Sequence, residues 1–149
     1  MKVSHRATYG ILSIVDLALH GQDTPVQAKA IARRQEIPIR FLEQVLHAMK
    51  KAGLVESVRG AQGGYLLVRK PTELSVADVL EVLEGPIFHE TSLLGLQGRR
   101  ADTREQQLLG GVWEQVQRAE QAVLQNITID QLAARQRDLD QQHTPMYHI

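Results

Sequence analysis

Apolar residues recur along the first half of the chain at steps of three and four, the pattern of helices that bury one face. From Ser4, the residues Ala7, Ile11, Ile14, Val15, Ala18 and Leu19 form one such stripe, which Gly21 ends. Thr24-Pro25-Val26-Gln27 offers a cap, a proline suited to the first helical position and a capping-box Gln, ahead of a short helix holding Ala28, Ile31 and Ala32. The same residues allow a start at Gln27. After Glu36-Ile37, Pro38 opens a third helix in which Leu42, Val45, Leu46 and Met49 stand at i, i+3, i+4 and i+7, with Gly53 at its C-terminal end. Its other face displays Arg40, Glu43, Gln44, His47, Lys50 and Lys51.

The period then changes. Leu54 to Val58 and Tyr65 to Arg69 read as two strands joined by the glycine-rich stretch Arg59-Gly60-Ala61-Gln62-Gly63-Gly64. A two-stranded hairpin is marginal in isolation, so it is expected to pack on the helices. Three short helices followed by a hairpin make a winged helix-turn-helix, in which the third helix enters the major groove and the wing presses on the backbone or minor groove beside it. Ser75 with Asp78 resembles a capping box, and Val76, Val79, Leu80 and Leu83 repeat the helical stripe before Gly85-Pro86 stops it.

Residues 86 to 104 show no sustained period and read as a long loop. Thr103 with Gln106 then caps a longer helix, in which Leu109, Val112, Val116, Ala119 and Val123 follow the spacing of a heptad seam with Trp113 beside it. Such a seam needs a partner surface, and a second copy of the chain is the economical one. Thr128-Ile129-Asp130-Gln131 starts a further short helix through Leu132 and Ala133, and the polar residues from Arg137 to Ile149 are expected to be frayed or disordered. The fold class expected is therefore mainly α with a small β-wing: a winged helix-turn-helix over residues 1–85, a flexible loop over 86–104, a dimerisation helix and short C-terminal helix over 105–136, and a tail over 137–149.

Composition narrows the chemistry. The 149 residues include no cysteine, which removes disulfides, thiolate nucleophiles and cysteine-ligated zinc or iron-sulfur sites. No apolar run is long enough to span a bilayer and the start lacks a signal-peptide core, so a cytoplasmic protein with no membrane partner is expected. The net charge of zero conceals a split. Residues 1–75 carry 11 Lys+Arg against 6 Asp+Glu, a balance of +5, and residues 76–149 carry 6 against 11, a balance of −5. A basic working end with a different second half fits a domain that meets nucleic acid through one surface only.

The stretches Ile37-Pro38-Ile39-Arg40-Phe41-Leu42-Glu43-Gln44-Val45-Leu46, Lys50-Lys51-Ala52-Gly53-Leu54-Val55 and Ser57 to Tyr65 resemble the Rrf-two (Rrf2) family of bacterial transcription regulators. Tyr9, Gly85-Pro86, Trp113 and Asn126-Ile127-Thr128-Ile129 also look like family positions, so that the resemblance spans all but the loop and the tail. It implies a homodimeric repressor or activator that binds double-stranded DNA, of the group holding the iron-sulfur cluster, nitric-oxide and cysteine-metabolism regulators. By the same resemblance Arg40, Phe41, Glu43 and Gln44 match recognition-helix positions, and Arg59, Gly60, Gly63, Gly64 and Tyr65 match the wing. These side chains suit the reading of bases, since Arg pairs with guanine O6 and N7, Gln with adenine, and Glu with cytosine N4, although Glu43 could equally orient a neighbouring Arg. Arg59 stands where a guanidinium can enter a narrow minor groove, His47 reads as touching phosphate or solvent, and Lys50 counts among the expected DNA-binding residues.

Many members of the family hold a cluster through three cysteines between the winged module and the long helix. The corresponding stretch here, Gly85 to Thr103, has none, so no cofactor of that kind is expected and any signal must come from another small molecule, a protein partner, or nothing. Competing readings are weaker. The glycines at 60–64 precede a strand and no Gly-Lys-Ser/Thr follows them, unlike a phosphate loop. His89, Glu90 and Asp102 lack the spacing that would put two metal ligands on one helical face, and His143 and His148 read as exposed side chains. Trp113 suits a core or interface, without excluding a ligand gate. No triad or acid-pair spacing supports an enzyme. The alternative from another class is a protein-interaction module that contacts a metabolic enzyme or a polymerase subunit with weak or lost DNA binding.

Overall fold

The computed structural model describes residues 3–85 and 104–143. The chain runs through α1 (His5–His20), α2 (Ala28–Gln35), α3 (Ile39–Lys51), β1 (Val55–Val58), β2 (Gly64–Leu67), a 3-10 turn at Pro71–Glu73, α4 (Val76–Glu84), α5 (Arg104–Asn126) and α6 (Ile129–His143). This is the winged helix-turn-helix with an added long helix. Among the described residues no helix is long and apolar enough to cross a membrane.

The centre of the module is α1, which packs against α2, α3, α4, α6 and β2. Ser4 caps it, its hydroxyl accepting from the Ala7 amide at 3.1 Å. The single buried stripe read from the sequence is too narrow, because Ser13 to Ala18 are all buried. Ser13 satisfies its hydroxyl by donating to the Tyr9 carbonyl at 2.6 Å. Asp16, fully buried, accepts from Arg34 Nη2 at 2.7 Å, Arg34 Nε at 2.9 Å and Gln35 Nε2 at 3.1 Å. That fork ties α1 to the end of α2, and the bond with Asp16 holds the Arg34 guanidinium above its ordinary pKa against the opposing effect of burial.

In the second helix the structure selects the later start. Gln27 is the cap residue of α2 and Thr24 lies outside it, because Val26 is drawn into an antiparallel bridge with Tyr65. The Val26 amide donates to the Tyr65 carbonyl at 3.0 Å and the Tyr65 amide to the Val26 carbonyl at 2.8 Å. A backbone committed to that ladder cannot also turn into a helix. The turn from α2 to α3 uses Glu36 in the left-handed region (φ 54°), with the Ile37 amide donating to the Ala32 carbonyl at 3.0 Å.

In α3 the four apolar residues expected to be buried, Leu42, Val45, Leu46 and Met49, are its buried set. Its end is a Schellman arrangement: the Gly53 amide donates to the Lys50 carbonyl at 3.0 Å and the Leu54 amide to the Met49 carbonyl at 2.9 Å. The expected capping box of α4 is complete, with Ser75 and Asp78 each accepting from the other's amide, at 3.1 and 3.0 Å.

The C-terminal part departs from expectation twice. First, α6 does not stop near Ala133 but runs to His143, so residues 137–143 of the expected tail are helical. Thr128 and Gln131 form a reciprocal capping box at 3.2 Å each, and Gln136 donates to Asp140 at 3.0 Å one turn on. Caps and polar i,i+4 pairs stabilise a helix without an apolar stripe, and periodicity alone does not register them. Second, the core does not end at residue 85, since Ile129 and Ala133 are buried in the same cluster as Ile14, Leu17, Leu42 and Leu46. The last helix is therefore part of the winged module. Arg104, placed in the expected loop, is already helical, and the rest of that loop, with His89, Glu90, Asp102 and Thr103, lies outside the described residues, as does His148.

Candidate nucleic-acid interface

Burial of the apolar stripe of α3 leaves its opposite side facing outward, and Arg40, Glu43, Gln44, His47, Lys50 and Lys51 are all exposed. Phe41 differs from the other predicted contacts on α3. It is half-buried against the core, its ring standing edge-on to Tyr9 with centroids 5.3 Å apart. One helical step separates it from Arg40, enough rotation to turn a side chain from solvent to core.

The wing is anchored to the module by backbone contacts. In the hairpin Val55 pairs with Leu67, Glu56 with Leu66, Ser57 with Tyr65 and Val58 with Gly64. The bridge from Tyr65 to Val26 adds a third backbone on the other side of β2. Gly64 is needed there: its φ is +150° and a Cβ would lie 2.4 Å from the Val26 carbonyl oxygen. At Gly63, which is buried, a Cβ would lie 2.1 Å from the Val58 oxygen. Gln27 Nε2 donates to the Ala61 carbonyl at 3.3 Å, joining the wing loop to the start of α2. Arg59 and Gly60 at the loop tip are exposed, whereas Tyr65 is half-buried against the core. Of the predicted wing residues, then, Arg59 and Gly60 face outward, while Gly63, Gly64 and Tyr65 build the attachment.

The cationic count of the first half overstates what this surface presents. Arg34 binds Asp16, Arg6 Nε donates to the Leu83 carbonyl at 3.2 Å, and Arg69 lies 3.5 Å from Asp78 and also donates to the Glu73 carbonyl. Sequence reasoning passed over the Asp16 to Arg34 fork, whose signal was an acidic residue flanked by Ile14, Val15, Leu17 and Ala18 within an apolar run.

On α5 no residue is fully buried. Leu109, Val112, Trp113, Val116 and Val123 are between 37 and 58% exposed, and Ala119 is exposed as well. The predicted seam thus lies on the outside of this chain.

The sequence matches, over residues 3–135, the family described as Rrf2, iron-dependent transcriptional regulator. The chain belongs to the Rrf2 family. Among Rrf2 relatives, the HTH-type transcriptional regulator CymR of Bacillus subtilis is 33% identical over 134 residues, which is 90% of this chain and 91% of that protein. Protein rrf2 of Nitratidesulfovibrio vulgaris is 41% identical over 90 residues, 58% of this chain and 60% of that relative's length. Of solved structures, CymR, the global cysteine regulator of B. subtilis, superposes with a TM-score of 0.77 at 30% identity, covering 91% of this chain and 98% of that one. IscR of T. potens gives 0.74 at 36% identity, covering 99% and 97%.

The iron of the family description finds no thiolate here, for none of the 149 residues is cysteine. Among the described residues no three His, Asp or Glu side chains cluster to hold a metal ion. The donor set does not fit a cysteine-ligated cluster.

Proposed function

We propose that this Rrf2-family chain is a sequence-specific DNA-binding transcriptional regulator that acts as a homodimer without a cysteine-ligated iron-sulfur cluster. The observation that carries the reading is that one chain exposes both a polar and an apolar surface. The polar side of α3 and the Arg59 wing tip are both exposed, and the apolar seam of α5 is left open on the same chain. The first surface offers donors and acceptors of the kind that base edges and phosphates require. The second offers Leu109, Val112, Val116 and Val123 to another copy, which would present two reading heads to one duplex. Arg40, Glu43 and Gln44 are assigned to base edges, His47 and Lys50 to phosphates, and Arg59 to the minor groove.

The test is equilibrium binding to duplex DNA across a salt series. Affinity should fall with salt at a slope of about −0.9 per phosphate contacted, and footprints should be palindromic with half-sites about 34–36 Å apart or a multiple of that. Absence of duplex binding even at low ionic strength would overturn the reading in favour of a protein-interaction module.

A further inference from the structure

We infer that the junction between α5 and α6 is the element that sets which operator half-site spacing this protein accepts. The inference rests on the dimeric regulator reading above.

Val123 and Leu124 are neighbours on α5 with opposite surroundings. Val123 is 58% exposed on the seam, whereas Leu124 packs on the buried cluster of Ala7, Val76 and Leu80, joined there by Ile127 and Leu132. Consecutive helical residues point about 100° apart, so one turn of α5 can face a partner and its own module at once. Immediately after this turn the chain is locked by backbone. The Val76 amide donates to the Ile127 carbonyl at 2.9 Å and the Ile129 amide to the Leu74 carbonyl at 2.8 Å, on either side of an antiparallel bridge between Ser75 and Thr128. Both Ser75 and Thr128 are also the caps of reciprocal capping boxes. Ile129 then enters the core that holds Leu42, Val45, Leu46 and Met49 of α3. An unbroken packed path therefore runs from the last turn of α5 to the back of the recognition helix.

Stiffness here has a definite consequence for DNA. The recognition helix lies two packed helix layers from α5, through α4, or about 20 Å away, so a pivot of about 10° at the end of α5 shifts it by about 3.5 Å. One base-pair step is about 3.4 Å, and it also rotates a half-site by about 35°. A loose junction would let the two reading heads follow half-sites moved by a base pair, and a stiff one would not.

The experiment selects a palindromic duplex from a random library with the wild-type protein, then inserts or deletes base pairs at its centre. Wild type should lose about tenfold or more in affinity per misplaced base pair, because both heads no longer engage together. Leu124→Ala should remain a dimer by sedimentation but bind the correct duplex more weakly and the altered ones almost equally, within about threefold. Val123→Ala should do the converse, weakening dimerisation while keeping the spacing preference. Should Leu124→Ala lose its helical circular dichroism, Leu124→Val carries the same test. A Leu124 variant that is dimeric and keeps the wild-type spacing profile overturns the inference while leaving the regulator reading intact. A wild-type protein that is monomeric or ignores duplex DNA removes the regulator reading, and this inference with it.

Discussion

Removing Arg34 should harm this protein more than altering the carboxylate it binds, and the asymmetry follows from burial. Asp16 has no exposed side-chain surface, whereas Arg34 is 38% exposed. In Arg34→Ala, Asp16 keeps only the Gln35 Nε2 contact at 3.1 Å and is left as a buried carboxylate without its cation. Breaking a buried pair this way costs about 3–5 kcal/mol. The lost bonds, two to a charged group at about 1.5–3 kcal/mol each, give the same range once partial exposure of Arg34 is allowed for. In Asp16→Asn the side chain keeps its shape and one acceptor oxygen, its amide nitrogen faces a former donor, and the guanidinium regains water on its exposed side, for a loss of about 1–3 kcal/mol. The assay is urea unfolding at one fixed protein concentration, since the proposed pairing would make apparent stability depend on it. Adding Arg34→Ala to Asp16→Asn should cost less than Arg34→Ala alone, because the charge to be stranded is gone. If Arg34→Ala costs under about 1 kcal/mol, or the same in both backgrounds, the fork is not holding α2 to α1 as argued. Because α2 leads directly into the turn before α3, loss of the fork should also weaken DNA binding.

Other predictions concern the surfaces. Arg59→Ala should lower duplex affinity by about 1–3 kcal/mol at matched salt while shifting stability by no more than about 0.5 kcal/mol, as checked by titration and unfolding together. Gly64→Ala should destabilise by about 1–3 kcal/mol, through both its φ and the approach of Val26, and urea midpoints will register it. Val116→Asp should give monomers in sedimentation and much weaker operator binding, because a charge in an apolar contact is costly and the two half-sites then bind separately. A retained dimer would place the interface elsewhere.

Local chemistry was legible in the chain itself. The stripe of α3, the Ser75 and Asp78 capping box and the hairpin around its glycines each depend on residues within a few positions of one another, so spacing suffices to read them. That none of the 149 residues offers a thiolate is likewise read without any coordinates. What only the tertiary structure decided involves partners distant in sequence. Asp16 meets Arg34, Val26 meets Tyr65 and so moves the start of α2, Phe41 meets Tyr9, and Ile129 returns to the core beside α1. Periodicity records which face of an element is apolar. It does not record what that face will meet, because that is set by packing and by the requirement that every buried polar group find a partner.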